Sequence, residues 1–373
     1  MTQKIQTYIE LLRICLQETP RVSELLINLS NGHIDWLDLL NFAAKQGVIG
    51  VYWHGIEHLF DTQIPLNKPT DDEVMEWWGE VQDIKKRNED LFKKTAFVSN
   101  TFRKEGFDNC ILKGQGNAIM YPDPFLRTPG DIDIWLKGTK EDIIRYVNKM
   151  FPNKRGGKKH IEFPVFKDTL VEVHYIPNTL ANPFAYNFIK KLFKEAQEKQ
   201  MNNYAILPNG NKITVPTPDF NITYQLIHIM EHYLYEGITL KQLVDYFYVM
   251  KVFHLWQKEQ SDKTSIKNIS IIFKKTGLSK FAKVIMYIMH EGLGLNAEYL
   301  YTDENIKGGK LILDSIVDEK DIHSYTLHNM HNISQYKNIT ERQSIKIYRA
   351  IKLFPYFPQE TLWGLWGRFK NAM

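Results

Sequence analysis

The spacing of apolar residues changes twice along this chain, and this change constrains the fold more than any other feature. Apolar residues recur at helical spacing before about residue 105 and again after residue 219. Between these points a two-residue period typical of strands appears. Residues 131–136, Asp-Ile-Asp-Ile-Trp-Leu, alternate in this way directly after a Pro-Gly turn. The pattern predicts an α+β fold, a small mixed sheet flanked by N-terminal and C-terminal helices.

Four short strands are expected in the central block. Residues 110–114 form a short apolar run that ends at a glycine, and residues 131–136 follow. Residues 160–166 and 170–175 predict two further strands joined by a Lys-Asp turn. Pro164 lies inside the third strand, and proline cannot donate to a strand ladder. The third strand is therefore predicted at an edge of the sheet or at a bulge.

The chain divides into three predicted regions. A helical region covers residues 1–84, an α/β core covers 85–215, and a helical domain covers 216–373. A long charged helix over about residues 72–105 leads into the core, and Gly106 is placed to cap it. The Asn-Gly pair at 209–210 predicts a small hairpin near the end of the core.

Composition and charge exclude several classes of protein. The 47 basic and 43 acidic residues nearly balance, which argues against wholesale nucleic-acid binding. Cys15 and Cys110 are the two cysteines, without zinc-site spacing. Glu10 and Arg13 interrupt the first apolar run, so no signal peptide is expected, and no apolar stretch approaches the roughly 18 residues of a membrane span. We therefore expect a cytoplasmic protein without a membrane partner.

Three acidic residues in the core predict a metal site. Asp131 and Asp133 point to one face of their strand, because strand residues two apart share a face, while the intervening isoleucines face the core. Two carboxylates held so close repel each other, and a shared cation relieves the repulsion. Magnesium suits such oxygen ligands. Glu172 has the same alternating context on a later strand, and three converging carboxylates can hold two metal ions.

A glycine-bearing turn precedes the acidic strand. Lys113, Gly114, Gln115 and Gly116 follow a predicted strand and precede a short helix, where backbone N–H groups can receive a phosphate. The alternative interpretation is a tight turn without a ligand. The order of strand, glycine turn, acidic strand and later acidic strand is more specific than the turn alone.

This order resembles the signature of the polymerase-β-like nucleotidyltransferase superfamily. More narrowly, five motifs are similar to a bacterial group of uncharacterised nucleotidyltransferases: Leu-Lys-Gly at 112–114, Tyr-Pro-Asp-Pro at 121–124, Leu-Arg at 126–127, Asp-Ile-Asp-Ile at 131–134 and Val-Glu-Val-His at 171–174. The resemblance spans most of the chain, but only these central motifs are specific. It implies a nucleotidyltransferase core in which Asp131, Asp133 and Glu172 are catalytic metal ligands. The chain departs from the superfamily pattern at the turn, where most members have Gly-Ser or Gly-Gly and here Gln115 follows Gly114.

Three further residues are predicted to bind nucleotide or phosphate. Lys113 ends a buried-looking strand, where it would neutralise the carboxylates or meet a phosphate. Arg127 has a planar fork suited to phosphate, and the alternatives are a solvated loop residue or a partner for Asp123. His174 shares a face with Glu172 and would act as a general base or hydrogen-bond a carboxylate. The supporting role is favoured for His174.

Two other groups of residues give weaker evidence of a functional role. The basic run at residues 154–159 predicts a solvated loop, and its functional alternative is capture of a triphosphate or an anionic acceptor. His228 and His232 lie one helical turn apart, like some metal-binding pairs. Without a suitably placed glutamate they are expected to be core or pocket-lining residues.

Together these features predict a magnesium-dependent nucleotidyltransferase with two Mg²⁺ ions. It would move a nucleoside monophosphate from a nucleoside triphosphate, such as ATP, onto a hydroxyl of an unidentified acceptor that is a protein, an RNA or a small molecule. The alternative is a noncatalytic nucleotide- or RNA-binding protein with the same fold. The Gly-Gln turn favours that alternative, and the intact carboxylates argue against it.

Overall fold

The computed structural model describes residues 1–17, 33–60, 67–259, 264–317, 350–351 and 353–372. Within these ranges the chain is mostly helical and carries one four-stranded mixed sheet and one two-stranded hairpin. The predicted α+β class is confirmed. In the described part of the chain, no helix combines the length and the apolar character that a membrane crossing needs.

Helices precede, interrupt and follow the strands. The helices are α1 (Gln3–Cys15), α2 (Trp36–Gln46), α3 (Ile49–Phe60), α4 (Asp71–Lys104), α5 (Gln115–Ala118), α6 (Lys140–Met150), α7 (Pro183–Met201), α8 (Pro218–Tyr235), α9 (Leu240–Glu259), α10 (Thr264–Thr276), α11 (Ser279–Tyr287), α12 (Ile306–Val317) and α13 (Pro358–Ala372). Short 3-10 turns occupy Pro124–Leu126 and Ala297–Tyr299, and a π-helical turn occupies Ile288–Gly292. The strands are β1 (Asn109–Ile111), β2 (Ile132–Leu136), β3 (His160–Glu162), β4 (Val171–His174), β5 (Tyr204–Ile206) and β6 (Lys212–Thr214).

The four-stranded sheet has the order β1-β2-β4-β3. Strands β2 and β4 run parallel, whereas β1 and β3 pair with them antiparallel. β3 is thus an edge strand, as the proline that follows it predicted. The hairpin β5–β6 turns at Asn209 and Gly210, and Gly210 has a φ of +80°. The predicted hairpin is confirmed.

The long helix α4 begins and ends where the sequence indicated. Thr70 caps its first turn, and the side chain of Glu73 accepts a hydrogen bond from the backbone N–H of Thr70, which completes a capping box. Three acidic residues in the first turn and basic residues in the last turn complement the helix dipole.

The two faces of the sheet pack against different helices. Ile132, Ile134 and Val173 lie in a hydrophobic cluster with the apolar residues of α4 and α6. Trp135 points to the opposite face, where its ring stacks on Phe220 of α8 at 5.8 Å. Since side chains alternate along a strand, Asp133 shares this second face with Trp135. The fold thereby turns the acidic face of the sheet toward the C-terminal helices.

Two helical glycines offer a matched test of how tightly α3 packs on α1. A Cβ at Gly55 would lie 2.4 Å from Cys15 Cα, so Gly55→Ala forces the helices apart, and we expect a loss of roughly 1–3 kcal/mol in the free energy of unfolding. A Cβ at Gly79 of α4 would meet nothing within 4 Å, so Gly79→Ala should gain roughly 0.5–1 kcal/mol from helix propensity. Urea denaturation measures both, and equal effects would contradict this packing.

Candidate active site

The three predicted carboxylates come together at one end of the central strands. Asp133 and Glu172 are register partners on the parallel strands β2 and β4, and Asp131 directly precedes β2. One oxygen from each carboxylate lies within 4.8 Å of the others. The sheet register produces this convergence, because partners on adjacent strands are only about 4.8 Å apart.

Asp133 is the most deeply buried of the three. Its side chain is fully buried, and Oδ1 accepts a hydrogen bond from His174 Nε2 at 2.9 Å. Oδ2 lies 3.1 Å from Lys113 Nζ but accepts no hydrogen bond from the residues that the structure describes. Burial raises the pKa of Asp133, but Lys113 and His174 outweigh it and hold the pKa well below its usual range. The carboxylate is therefore charged.

Lys113 supplies the site's own positive charge. Its Nζ lies 3.1 Å from Asp133 Oδ2 and 3.9 Å from Asp131 Oδ2. Burial lowers the pKa of Lys113, but the two aspartates raise it well above the ordinary value. Of the two roles predicted for Lys113, the geometry fits neutralisation of the carboxylates.

Two histidines lie close to the carboxylate of Glu172. His174 is buried, and its Nε2 lies 3.5 Å from Glu172 Oε2 as well as within hydrogen-bond distance of Asp133. Burial lowers the pKa of His174, and its bonds to these carboxylates raise it above the ordinary value. This is the contact expected of a supporting residue. His160 on β3, which the sequence reasoning missed, places Nδ1 3.1 Å from Glu172 Oε2.

The donor set fits a divalent cation. Asp131, Asp133 and Glu172 offer oxygen ligands, which Mg²⁺ prefers, and Asp131 and Glu172 remain partly exposed. The buried Oδ2 of Asp133 lacks a hydrogen bond among the described residues, and a buried polar atom of this kind normally has a partner. These residues could hold Mg²⁺ without rearrangement of the strands.

The glycine turn lies directly beside the acidic strand. Gly114 has a φ of +59°, which favours glycine, and a Cβ there would lie 3.1 Å from the carbonyl oxygen of Asp131. The N–H of Gly116 bonds to the carbonyl of Lys113, and buried Gln115 donates from Nε2 to Asn88 Oδ1 at 3.0 Å. Gln115 and Gly116 thus have internal partners, and phosphate binding by this turn stays a prediction.

Arg127 has a different partner from the predicted phosphate. Its guanidinium is buried and donates from Nε and Nη2 to the two oxygens of Asp245 on α9, each at 2.8 Å. Asp123, the other partner considered, lies 3.3 Å from Lys85 instead. The bidentate fork therefore holds the loop before β2 against α9, and a phosphate would have to compete with this ion pair. Its role in phosphate binding stays a prediction.

A buried polar network extends from this ion pair to the turn. Tyr121 donates to Asp245 Oδ1 at 2.6 Å, and Asn117 of α5 donates to Asp245 Oδ2 at 3.3 Å. Gln225 of α8 in turn donates to Asn117 Oδ1 at 3.2 Å. The network fixes the glycine turn and the loop before β2 relative to α8 and α9.

Lys241, also missed by the sequence reasoning, adds a second cation near the acidic strand. Its Nζ donates to the carbonyl of Pro129 at 3.3 Å, two residues before Asp131. Burial, followed by the positive charge of Arg127, lowers the pKa of Lys241 to about 8. No sequence pattern indicated Lys241, because its partner Pro129 lies 112 residues away along the chain.

Helix α8 forms one wall of the site. Burial lowers the pKa of His228 well below its ordinary value, and the positive charges of Lys113 and other nearby groups add to this. The rings of His228 and His232 meet edge to face, with their centroids 4.1 Å apart. Lys159, from the predicted basic loop, reaches Glu231 of α8 at 3.0 Å. The loop is therefore tied to the site's wall at one position.

The chain is similar in sequence to a known protein family and also has a similarity to a solved structure. A family described as "Uncharacterised nucleotidyltransferase" matches residues 32–294. A solved structure of an antigenic nucleotidyltransferase-like protein from Paracoccidioides brasiliensis is similar over 51% of this chain and 89% of its own, with 14% identity and a TM-score of 0.29. No protein with a curated description matches the sequence.

The ion pair between Arg127 and Asp245 should be essential to stability. Asp245→Asn leaves a buried guanidinium without its counter-charge, so we expect a loss of about 3–5 kcal/mol in the free energy of unfolding. Asp303→Asn is the matched control, because Asp303 pairs with Lys283 while 87% exposed, and it should leave stability unchanged. Chemical denaturation of the two variants measures both losses of stability. An equal effect of the two substitutions would refute the structural role of the buried pair.

Proposed function

This chain belongs to the uncharacterised nucleotidyltransferase family, and we propose that it is a polymerase-β-like, magnesium-dependent enzyme. It would transfer a nucleoside monophosphate from a nucleoside triphosphate, such as ATP, to a hydroxyl of an acceptor. The observation that carries the proposal is the convergence of Asp131, Asp133 and Glu172 on adjacent strands beside a glycine turn. Because the proposed donor is a nucleoside triphosphate, we assign the reaction to the cytoplasm.

The proposed reaction exchanges one phosphorus–oxygen bond for another. The acceptor oxygen bonds to the α-phosphorus, the bond to the bridging oxygen of pyrophosphate breaks, and the acceptor's proton leaves. When bound, one or two Mg²⁺ ions would supply charge neutralisation to the triphosphate and lower the pKa of the attacking oxygen. Asp131, Asp133 and Glu172 would hold them, and Glu172 would lie nearest the acceptor.

The protein's own cations have separate roles in this proposal. Lys113 compensates the carboxylates before ligands bind, and it would turn toward a phosphate once a metal ion replaces its charge. Lys241 and Lys159 add positive charge at the two sides of the acidic cluster. Arg127 positions the loop before β2 through its ion pair with Asp245, and its predicted contact with phosphate would have to compete with that pair. Catalysis would rest on positioning and charge complementarity.

The three-region division of the chain belongs to the same proposal. The core at 85–215 supplies the carboxylates and the glycine turn, and the region at 216–373 supplies α8 and α9 as a wall. The acceptor would bind between these parts, so its chemistry depends on the flanking helices. Protein, RNA and small-molecule hydroxyls all remain candidates.

Removing one carboxylate should abolish transfer but preserve the fold. Asp131→Asn keeps the shape of a partly exposed side chain and removes a metal ligand, so label transfer should fall by at least about 1,000-fold, since metal stabilisation contributes several kcal/mol. The assay supplies each of the four α-labelled ribonucleoside triphosphates with Mg²⁺ and separate protein, RNA and small-molecule acceptor fractions, and it measures pyrophosphate release in parallel.

Asp108→Asn is the control for this assay, because Asp108 is exposed and, among the residues that the structure describes, forms its ion pair with Lys137 just after β2. Normal transfer by the Asp131→Asn protein would refute the assigned centre. Nucleotide binding by the wild-type protein without any pyrophosphate release would instead favour the noncatalytic nucleotide- or RNA-binding alternative.

Lys113 should compete with metal ions for the carboxylates. Two unit charges about 4 Å apart interact by roughly 4 kcal/mol at an effective dielectric of 20, so Lys113→Met should tighten Mn²⁺ binding to the nucleotide-free protein by at least about tenfold. Nucleotide transfer should fall in the same variant. Electron paramagnetic resonance of free Mn²⁺ measures the affinity, with exposed Lys158→Met as the control. Unchanged or weaker Mn²⁺ binding by Lys113→Met would contradict the competition.

A further inference from the structure

A second set of metal-ligating side chains adjoins the acidic cluster and differs from it in chemistry. It consists of His160 on β3 with Glu172 and His174 on β4, and their donor atoms lie within 4.8 Å of one another. His160 and His174 are register partners, and Glu172 lies two residues before His174 on the same face of β4. Strand pairing alone therefore brings two imidazoles and a carboxylate together.

The distances within this set match the edges of a metal coordination sphere. His160 Nδ1 lies 3.1 Å from Glu172 Oε2, and His174 Nε2 lies 3.5 Å from the same oxygen. Ligand bonds of about 2.1 Å separate neighbouring ligand atoms by roughly 3.0–3.4 Å in octahedral or tetrahedral geometry. One ion can therefore reach all three side chains with small rotamer adjustments.

The close approach of His160 to Glu172 is not a hydrogen bond. Nδ1 of His160 is buried and has no hydrogen-bond partner in the described part of the chain, although the carboxylate oxygen is only 3.1 Å away. A nitrogen lone pair and a carboxylate oxygen that face one space are both acceptors, and a cation satisfies both. Nδ1 of His174 is also without a partner there, so it can carry the ring proton when a metal ion displaces the hydrogen bond from Nε2 to Asp133 and binds the lone pair of Nε2.

We propose that His160, Glu172 and His174 form a second metal site that selects a divalent transition metal such as Zn²⁺ over Mg²⁺. Imidazole nitrogen favours such metals, whereas Mg²⁺ prefers oxygen ligands. Three protein ligands, with His160 and Glu172 partly exposed, leave coordination positions open to water or substrate. Glu172 is shared with the carboxylate cluster, but the proposal does not depend on nucleotide transfer.

The test measures Zn²⁺ binding directly in the full chain. Metal-free wild-type protein is titrated with Zn²⁺ by calorimetry in the presence of excess Mg²⁺, and with Co²⁺, whose visible absorption reports nitrogen ligation. We expect one tight Zn²⁺ site that Mg²⁺ does not displace. His160→Gln should weaken Zn²⁺ binding by more than about 100-fold, since loss of a ligand exceeds the 10–100-fold effect of losing an outer-shell partner. Circular dichroism checks that this partly exposed position tolerates the change.

Two matched variants distinguish Zn²⁺ binding at this site from binding at the neighbouring histidine pair and carboxylate cluster. His232→Gln removes a histidine from the neighbouring pair with His228 and should leave Zn²⁺ binding intact. Asp131→Asn removes a ligand from the carboxylate cluster alone and should weaken Zn²⁺ binding far less than His160→Gln does. Equal Zn²⁺ affinity of the wild type and His160→Gln would overturn the proposal, as would a loss caused by Asp131→Asn or His232→Gln instead.

The result is independent of the outcome for the proposed enzyme. A protein that binds Zn²⁺ through His160 but transfers no nucleotide would refute the proposed function and support this site. A protein that transfers nucleotides with Mg²⁺ yet shows the same Zn²⁺ affinity with and without His160 would support the proposed function and refute this site.

Discussion

The architecture around the site depends on one fully buried carboxylate, Asp133. A charge removed from water is costly unless it is paired and hydrogen-bonded, and here Lys113 and His174 provide both kinds of contact. Each partner comes from a different element, the end of β1 and the end of β4, so the compensation requires the sheet register to be correct. The charge balance of the site therefore depends on the register of the sheet, because a register shift would separate Asp133 from both partners.

A second buried ion pair performs the same function between the sheet and the helices. Arg127 and Asp245 are separated by 118 residues, yet they meet in a bidentate pair that Tyr121 and Asn117 complete. Replacing such a pair by apolar residues often preserves stability, so a stability argument alone does not explain why the chain uses it. Its geometry offers a reason. The pair holds the glycine turn, the acidic strand and the helical wall in a single arrangement, which is what precise positioning of a substrate requires.

The sequence predicted those parts of the site that depend on local periodicity. Alternation with isoleucine places Asp131 and Asp133 on one face, the positive φ of Gly114 agrees with its position in a tight turn, and Pro164 marks the strand that becomes an edge. The sequence could not predict which residues contact each other across the site. His160 acquires its role only through its pairing with β4, and Arg127 finds Asp245 only when α9 packs on the core. The spacing of apolar residues indicates which face of a strand or helix a residue occupies. Which residue it contacts there depends on strand register and on the packing of helices that are far apart in sequence.

The strand order explains why the two sides of Glu172 differ chemically. β4 lies between β2 and β3, so a side chain on its polar face has one neighbour from each. β2 contributes the oxygen ligand Asp133 on one side, and β3 contributes the nitrogen ligand His160 on the other. Among the residues that the structure describes, Glu172 is the one that belongs to both clusters, and His174 lies beside it. Oxygen and nitrogen donors select different cations, and this three-strand arrangement places both kinds of donor beside one carboxylate, so the asymmetry follows from topology rather than from any single residue.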